Sequence, residues 1–167
     1  ILLAGLGALI TDRAGVMNIG LEGIMLCAAL AGVIGSAMTQ NAFLGFLFAL
    51  LVGMALGLLM AYFAIHLKTD MVLTGIAMNL LASGGTVFVL YAVANDKGMS
   101  TSLKSLTMPV INIPFIQDIP VIGTVISGHN LLTYLALISV AAMWILLYKT
   151  PLGLRIRVVG ENSHAAE

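Results

Sequence analysis

Long apolar runs separated by short polar breaks make up most of the chain. Runs at residues 16–38, 42–65, 71–94 and 130–148 are each about 20 residues long, the length that a helix needs to cross a bilayer. A run at residues 1–11 is too short to cross alone and is interpreted as part of a span. The apolar positions are continuous rather than alternating, which predicts helices and not barrel strands. The predicted fold class is therefore all-α, a polytopic transmembrane helical bundle.

Residues 95–129 interrupt this pattern. They hold three of the four prolines, Pro109, Pro114 and Pro120, and prolines argue against a helix through the membrane. Residues 110–116 are predicted to be extended. We expect a loop that folds over the protein surface, since a long loop without a helix usually has a function; an unstructured surface loop is the alternative.

The basic residues predict the orientation of the spans. Short loops rich in Lys and Arg lie on the cytoplasmic side of a membrane. With alternating spans, one side receives Arg13, Lys68, Lys149, Arg155 and Arg157. That side is predicted to be cytoplasmic, which places residues 149–167 inside and the loop 95–129 outside the cell.

The composition supports a membrane location and excludes several functions. Of the 167 residues, 60% are hydrophobic and 8% are charged, whereas a soluble domain has roughly 25% charged residues. The net charge of zero suggests no nucleic-acid partner. Cys27 is the single cysteine and is interpreted as a small buried hydrophobe. We also see no catalytic constellation, no metal motif and no phosphate-binding loop, so no cofactor and no enzymatic activity are predicted.

Two polar residues lie in the first full run. Asn18 and Glu22 are four residues apart and would share a face of one helix. Counted from Arg13, Glu22 would lie roughly 14 Å along a helix, near the bilayer midplane. Ionisable groups at that depth usually face a polar cavity or partner, and transporters often build substrate sites at broken helices there. We therefore predict that Asn18 and Glu22 belong to a substrate pathway; the alternative is that Glu22 braces a neighbouring helix.

Two stripes follow a helical period. Asn79 and Ser83 lie between Gly75 and Thr86 on one face of the run 71–94, and they are predicted to line the pathway or to hydrogen-bond between helices. The second stripe has a small residue at every fourth position and predicts close helix packing; it comprises Gly45, Ala49, Gly53, Gly57 and Ala61.

Charge returns in the segment 149–167, which is predicted to be a loop. Pro151 and Gly153 would fix its exit from the last span. Arg155 and Arg157 would anchor it by charge-assisted hydrogen bonds or on lipid headgroups. We expect a short helix to begin after Gly160, with Gly160 and Glu161 shaping its start.

Two motifs resemble a known family. They are Arg13-Ala-Gly-Val-Met-Asn-Ile-Gly-Leu-Glu-Gly23 and Tyr148-Lys-Thr-Pro-Leu-Gly-Leu-Arg-Ile-Arg-Val-Val-Gly-Glu-Asn162. They are similar to the permease subunits of bacterial ABC importers, in the branch shared by ribose, simple-sugar and branched-chain amino-acid permeases. The first motif is most similar to nucleoside (guanosine-type) permeases. The resemblance covers nearly the whole chain, which is interpreted as a fragment of such a subunit.

The resemblance implies a multi-pass protein of the bacterial cytoplasmic (inner) membrane and several partners. Cytoplasmic ABC ATPase subunits would hydrolyse ATP and grip a coupling helix at about residues 155–167. A second permease subunit, identical or different, would complete the pore in the lipid bilayer. An extracytoplasmic substrate-binding lipoprotein would deliver the substrate to the loop 95–129.

With this resemblance, the predicted function is ATP-driven import of nucleosides by alternating access. One alternative is a simple-sugar (ribose-type) ABC permease of the same architecture. Another is a secondary transporter or channel, which needs no ATPase partner.

Overall fold

The computed structural model describes residues 1–95, 105–111 and 129–161. Within these ranges lie the helices α1 (Leu2–Arg13), α2 (Leu21–Thr39), α3 (Ala42–Ile65), α4 (Met71–Ala94), α5 (Leu131–Lys149) and α6 (Pro151–Glu161). Two short strands, β1 (Val110–Ile111) and β2 (His129–Asn130), pair antiparallel. The described chain is thus mainly helical, as the continuous apolar runs predict.

Four of these helices, α2 to α5, are long and apolar enough to cross a membrane. The longest two, α3 and α4, have 24 residues each, or about 36 Å at 1.5 Å per residue. Large apolar side chains such as Leu58, Leu80 and Phe88 are exposed along them. Outward-facing apolar side chains on helices of this length lie in lipid. The fold is that of a multi-pass membrane protein, which confirms the predicted fold class and membrane location.

Asparagine and aspartate side chains start three of the spans. Asn41 accepts a hydrogen bond from Phe43 N at the start of α3, and Asp70 accepts one from Val72 N at the start of α4. Asn130 does the same at the start of α5. These caps pair backbone N–H groups that the first turn of a helix leaves without partners, and they explain why α3 and α4 have the bounds that the apolar runs predict.

The small-residue stripe of α3 packs against α2. A Cβ atom placed on Gly45 would lie 2.6 Å from Ser36 Cβ and 2.8 Å from the Gly32 carbonyl oxygen. One turn further along α3, the Ala49 Cβ atom lies 3.3 Å from the position of a Cβ atom placed on Gly32. No atom of residues 1–95, 105–111 or 129–161 lies within 4 Å of the Cβ position of Gly57. The predicted close packing therefore holds for the first part of the stripe, and Gly57 faces open space.

The far end of α2 holds the segment that follows α4. The hydroxyl of buried Ser36 accepts a hydrogen bond from Leu106 N at 3.0 Å and donates one to Leu106 O at 3.4 Å. Met108 is buried two residues on, and β1 then pairs with β2 directly before α5. Val110 and Ile111 are extended, as predicted; the rest of the predicted extended stretch, 112–116, lies outside the described residues.

A single residue joins α5 to α6. Thr150 is extended, with φ −115° and ψ 151°. Its hydroxyl donates to Leu146 O at 2.6 Å and accepts from Gly153 N at 3.2 Å. Thr150 therefore closes α5 and caps α6 at once, and Pro151 takes the first helical position, where its missing N–H costs nothing.

Candidate functional site

The chain turns sharply between α1 and α2. Gly15 has a φ of 76°. Gly15 N donates to Asp12 O at 3.0 Å and Val16 N donates to Thr11 O at 2.9 Å. These two bonds form a Schellman motif, which ends α1 and favours glycine at the left-handed position.

The start of α2 lies against α4. Asn79 Nδ2 donates to Ile19 O at 2.9 Å, and Asn79 Oδ1 accepts from Gly23 N at 2.7 Å. A Cβ on Gly75 would lie 2.8 Å from Gly20 N. Glycines at 20 and 75 thus let the two backbones approach, and Asn79 pairs backbone groups that the first turn of α2 leaves open.

A groove of about 320 Å³ lies beside this junction. Its polar lining comes from Glu22, Asn79 and Ser83, and the rest from Gly23, Leu26, Ile76 and Leu80. The Glu22 side chain is exposed, and the Ser83 hydroxyl donates to Leu80 O of its own helix at 3.0 Å. A carboxylate and a hydroxyl side by side can accept and donate hydrogen bonds to a polar solute. The structure thus brings together three of the four residues predicted for the substrate pathway.

The fourth residue predicted for the substrate pathway, Asn18, does not line this groove. The prediction that Asn18 and Glu22 share a helix face is wrong, because α2 begins at Leu21 and not at residue 16. The Schellman turn at Gly15 and the packing of Gly20 on Gly75 keep residues 16–20 out of a helix. The Asn18 Oδ1 atom is buried and has no hydrogen-bond partner within the described ranges.

The depth of Glu22 also differs from the prediction. A Cβ on Gly20 would lie 2.7 Å from Met60 Sδ. Met60 and Gly75 lie five and four residues from the neighbouring ends of α3 and α4, which puts Gly20 about 6–8 Å inward of those ends. Glu22 is two residues further, at roughly 10 Å, whereas the centre of a 36 Å helix lies at about 18 Å. Glu22 therefore lies nearer to the end of the spans where α3 finishes and α4 begins than to their midplane.

The segment predicted as a loop at 149–167 is helical over most of its described part. α6 runs from Pro151 to Glu161, so Arg155 and Arg157 lie on a helix. Gly160 and Glu161 already belong to α6, so the helix begins at Pro151 and not after Gly160. The Thr-Pro pair at 150 and 151 is the signal for this early start, because it joins an N-cap to a first-turn proline. Residues 162–167 of the predicted coupling segment lie outside the described residues.

The arginines of α6 have different surroundings. The Arg157 Cζ atom lies 5.0 Å from the centre of the Tyr148 ring, a cation–π distance. The Arg157 Nε atom is buried and unpaired in the described chain. Arg155 is exposed and lines a shallow groove of about 510 Å³ with Leu154, Val158 and Val159. The predicted anchoring of Arg155 and Arg157 by hydrogen bonds or headgroups stays a prediction.

A contact that the sequence analysis did not predict joins the two motifs. A Cβ on Gly160 would strike the Arg13 carbonyl oxygen and would lie 3.0 Å from Gly15 N. The end of α6 therefore touches the turn between α1 and α2 with bare backbone. Helix directions also place Arg13, Lys149 and Glu161 at one end of the molecule.

An apolar cavity was also not predicted. It measures about 530 Å³ and lies between α2, α3 and α4, where Cys27, Phe48 and Val89 line it together with other apolar residues. Cys27 is half-buried there, as expected of a small hydrophobic residue. Over the ranges that the structure covers, no group of three or more His, Cys, Asp or Glu side chains is placed to hold a metal ion.

Four apolar spans define a polytopic membrane protein, with a partly polar groove near one end of the spans and a short helix directly after the last of them. Residues 1–167 match the family described as branched-chain amino acid transport system / permease component. The chain belongs to this family, as its two motifs indicate. No solved structure matches it.

Three relatives are named as ABC transporter permease proteins. A putative glucose permease of Haloferax volcanii is 38% identical over 167 residues, which is 100% of this chain and 50% of the relative. The guanosine permease NupQ of Bacillus subtilis is 36% identical over 178 residues, which cover 100% of this chain and 54% of the relative. The nucleoside permease NupC of Lactococcus lactis is 31% identical over 174 residues, which cover 100% of this chain and 54% of the relative. This chain spans about half the length of these relatives, which are transport subunits and not enzymes.

Proposed function

We propose that the chain is part of a permease subunit that imports nucleosides through a cytoplasmic membrane, driven by ATP hydrolysis on separate ATPase subunits. The observation that carries the proposal is the match of the whole chain to the permease family. The groove of Glu22, Asn79 and Ser83 supports it, since it offers polar groups at the mouth of otherwise apolar spans. An exposed carboxylate suits the ribose hydroxyls and base N–H groups of a nucleoside, which are hydrogen-bond donors.

A simple sugar is the second candidate substrate. The Haloferax volcanii relative is named for glucose, and sugar hydroxyls also donate to a carboxylate. The two relatives named for guanosine and nucleosides and the wording of the motif at residues 13–23 favour nucleosides. In either case the substrate would pass Glu22 during alternating access.

The inner side of the molecule is proposed to be the end where α6 meets α1. Arg13, Lys68, Lys149, Arg155 and Arg157 all belong to this end, in keeping with the rule for cytoplasmic loops. The side chain of Lys149 lies 5.9 Å from the ring centre of Trp144, and aromatic residues are common at this membrane boundary.

The proposed ATPase contact is the outer face of α6. Leu152, Leu154, Val158 and Val159 are exposed on this short helix beside Arg155. An apolar face outside the spans favours a protein partner. Pro151 and Gly153 would set the position of that face by holding the start of α6 on α5. A second permease subunit would complete the pore, and a substrate-binding lipoprotein would dock on the loop 95–129, most of which lies outside the described residues.

The substrate is tested by competition in the assembled transporter. Uptake of labelled guanosine is measured with excess unlabelled nucleosides, glucose or ribose. We expect nucleosides to reduce uptake by at least about tenfold and both sugars to leave it within about twofold, because a site that pairs the base loses that pairing with a sugar. Guanosine uptake that glucose or ribose reduces as strongly as unlabelled nucleosides do would contradict the nucleoside assignment and support the sugar permease.

A further inference from the structure

The last described turn of α6 and the turn before α2 meet backbone to backbone at Gly160 and Gly15. A Cβ on Gly160 would strike Arg13 O, and a Cβ on Gly15 would lie 3.2 Å from both Gly160 Cα and Gly160 O. Neither position can carry a side chain without moving one backbone away from the other. The contact therefore depends on glycine at both positions.

Each side of this contact is stiff. The turn at Gly15 is closed by the two Schellman bonds to Thr11 O and Asp12 O. At its other end α6 is fixed to α5, because a Cβ on Gly153 would strike Leu146 O and lie 2.5 Å from Leu147 Cα. Stiff elements in contact move together, since packed backbones cannot deform independently.

The turn leads directly to the groove. Only residues 16–19 separate Gly15 from Gly20, and the Ile19 carbonyl is already held by Asn79. Gly23, the residue after Glu22, donates its backbone N–H to Oδ1 of the same Asn79 side chain. A displacement at Gly15 therefore reaches the start of α2 and the polar lining of the groove through four residues.

We propose that the backbone contact of Gly160 with the Arg13–Gly15 turn transmits movement of α6 to the groove lined by Glu22, Asn79 and Ser83. Gly15 and Gly160 are then positioning residues of the transport cycle. They touch no substrate and act by tying the helix that meets the ATPase to the helix that begins at the groove. This inference rests on the proposed function, in which the ATPase moves α6.

The test reports groove accessibility in the full-length subunit assembled with its ATPase subunits. The parent carries Cys27→Ser and Ser83→Cys, so that a maleimide labels only the groove residue if the rest of the subunit is free of cysteine. The labelling rate is compared between the nucleotide-free state and the state trapped with ATP and vanadate. Gly160→Ala is the test variant. Gly5→Ala on α1 is the control, because no atom of the part of the chain that the structure describes lies within 4 Å of a Cβ there.

We expect the parent and Gly5→Ala to change labelling rate by at least about fivefold on trapping. In Gly160→Ala the change should fall below about twofold, while the ATPase subunits still co-purify in wild-type amounts. An unchanged response in Gly160→Ala would overturn the inference, and so would loss of the ATPase subunits, which would make Gly160 a docking or folding residue. A parent without any response would instead overturn the proposed function.

Discussion

Asn79 is the residue on which the groove depends most. Its side-chain amide bonds Ile19 O and Gly23 N, on either side of the start of α2. Within a membrane, backbone groups at such a junction have little water to bond instead. Asn79 therefore acts first as a brace between helices, and its remaining donor and acceptor capacity faces the groove.

Replacing Asn79 by alanine should destabilise the protein. The variant loses a partly buried hydrogen bond to Gly23 N and an exposed one to Ile19 O, so we expect a loss of about 1–3 kcal/mol in the free energy of unfolding. Ser83→Ala is the matched control in the same groove. Among the described residues the Ser83 hydroxyl bonds only Leu80 O of its own helix, so the stability of this variant should stay within about 0.5 kcal/mol of the parent. Thermal unfolding of the purified protein in detergent measures both. Equal stability of the two variants would remove the bracing role of Asn79.

Sequence reasoning worked at this scale where a residue sits inside a regular helix. The spacing of Asn79 and Ser83 put them on one face, and the structure places both in the groove with Glu22. The predicted position of Asn18 is wrong, because a shared face with Glu22 requires a helix through residues 16–20, and α2 begins at Leu21. The positive φ of Gly15 and the contact of Gly20 with Gly75 depend on tertiary packing that a linear pattern does not contain.

At the scale of elements, the pairing of α2 with α3 relies on small residues. Gly45 sits against Ser36 and Gly32, whereas Gly57 of the same stripe meets no atom within 4 Å of its Cβ position. Close approach of helices in lipid gains its energy from packing and not from the exclusion of water. The first part of the stripe is therefore the part that holds the two helices together.

This difference predicts opposite effects of the same substitution. Gly45→Ala inserts a methyl group against a Cβ atom at 2.6 Å and a carbonyl oxygen at 2.8 Å, so we expect a loss of about 1–3 kcal/mol. Gly57→Ala should be neutral or up to about 1 kcal/mol more stable, because alanine favours a helix over glycine. Unfolding of both variants in detergent provides the comparison. A Gly45→Ala protein as stable as Gly57→Ala would show that α2 and α3 are not packed as described.

Element boundaries followed from the sequence where caps set them. Asn41 and Asp70 start α3 and α4 at the predicted positions. The start of α6 was placed too late, since Thr150 was read as part of a loop although its hydroxyl ends one helix and caps the next. The start of α2 is predicted too early, because the turn at Gly15 and the contact of Gly20 with Gly75 delay the helix until Leu21.

At the scale of the whole molecule, the features proposed to work together lie at one end of the helices, the end where α6 meets the turn after α1. The start of α2 lies there with its groove, and α6 lies there against the turn after α1. Hydropathy predicted the four long apolar helices of the described chain, apart from the start of α2. It did not predict that Gly15 and Gly160 meet, because contacts between distant segments are not encoded in local periodicity.

ATP-dependent uptake is the measurement that tests the central proposal most directly. The full-length subunit is reconstituted in liposomes with the proposed second permease subunit, ATPase subunits and binding lipoprotein. Labelled guanosine is supplied on the side of the proposed binding protein. We expect accumulation only with ATP on the ATPase side, and loss of accumulation when the ATPase cannot hydrolyse ATP. Accumulation that an ion gradient drives without ATP would contradict the account and show a secondary transporter.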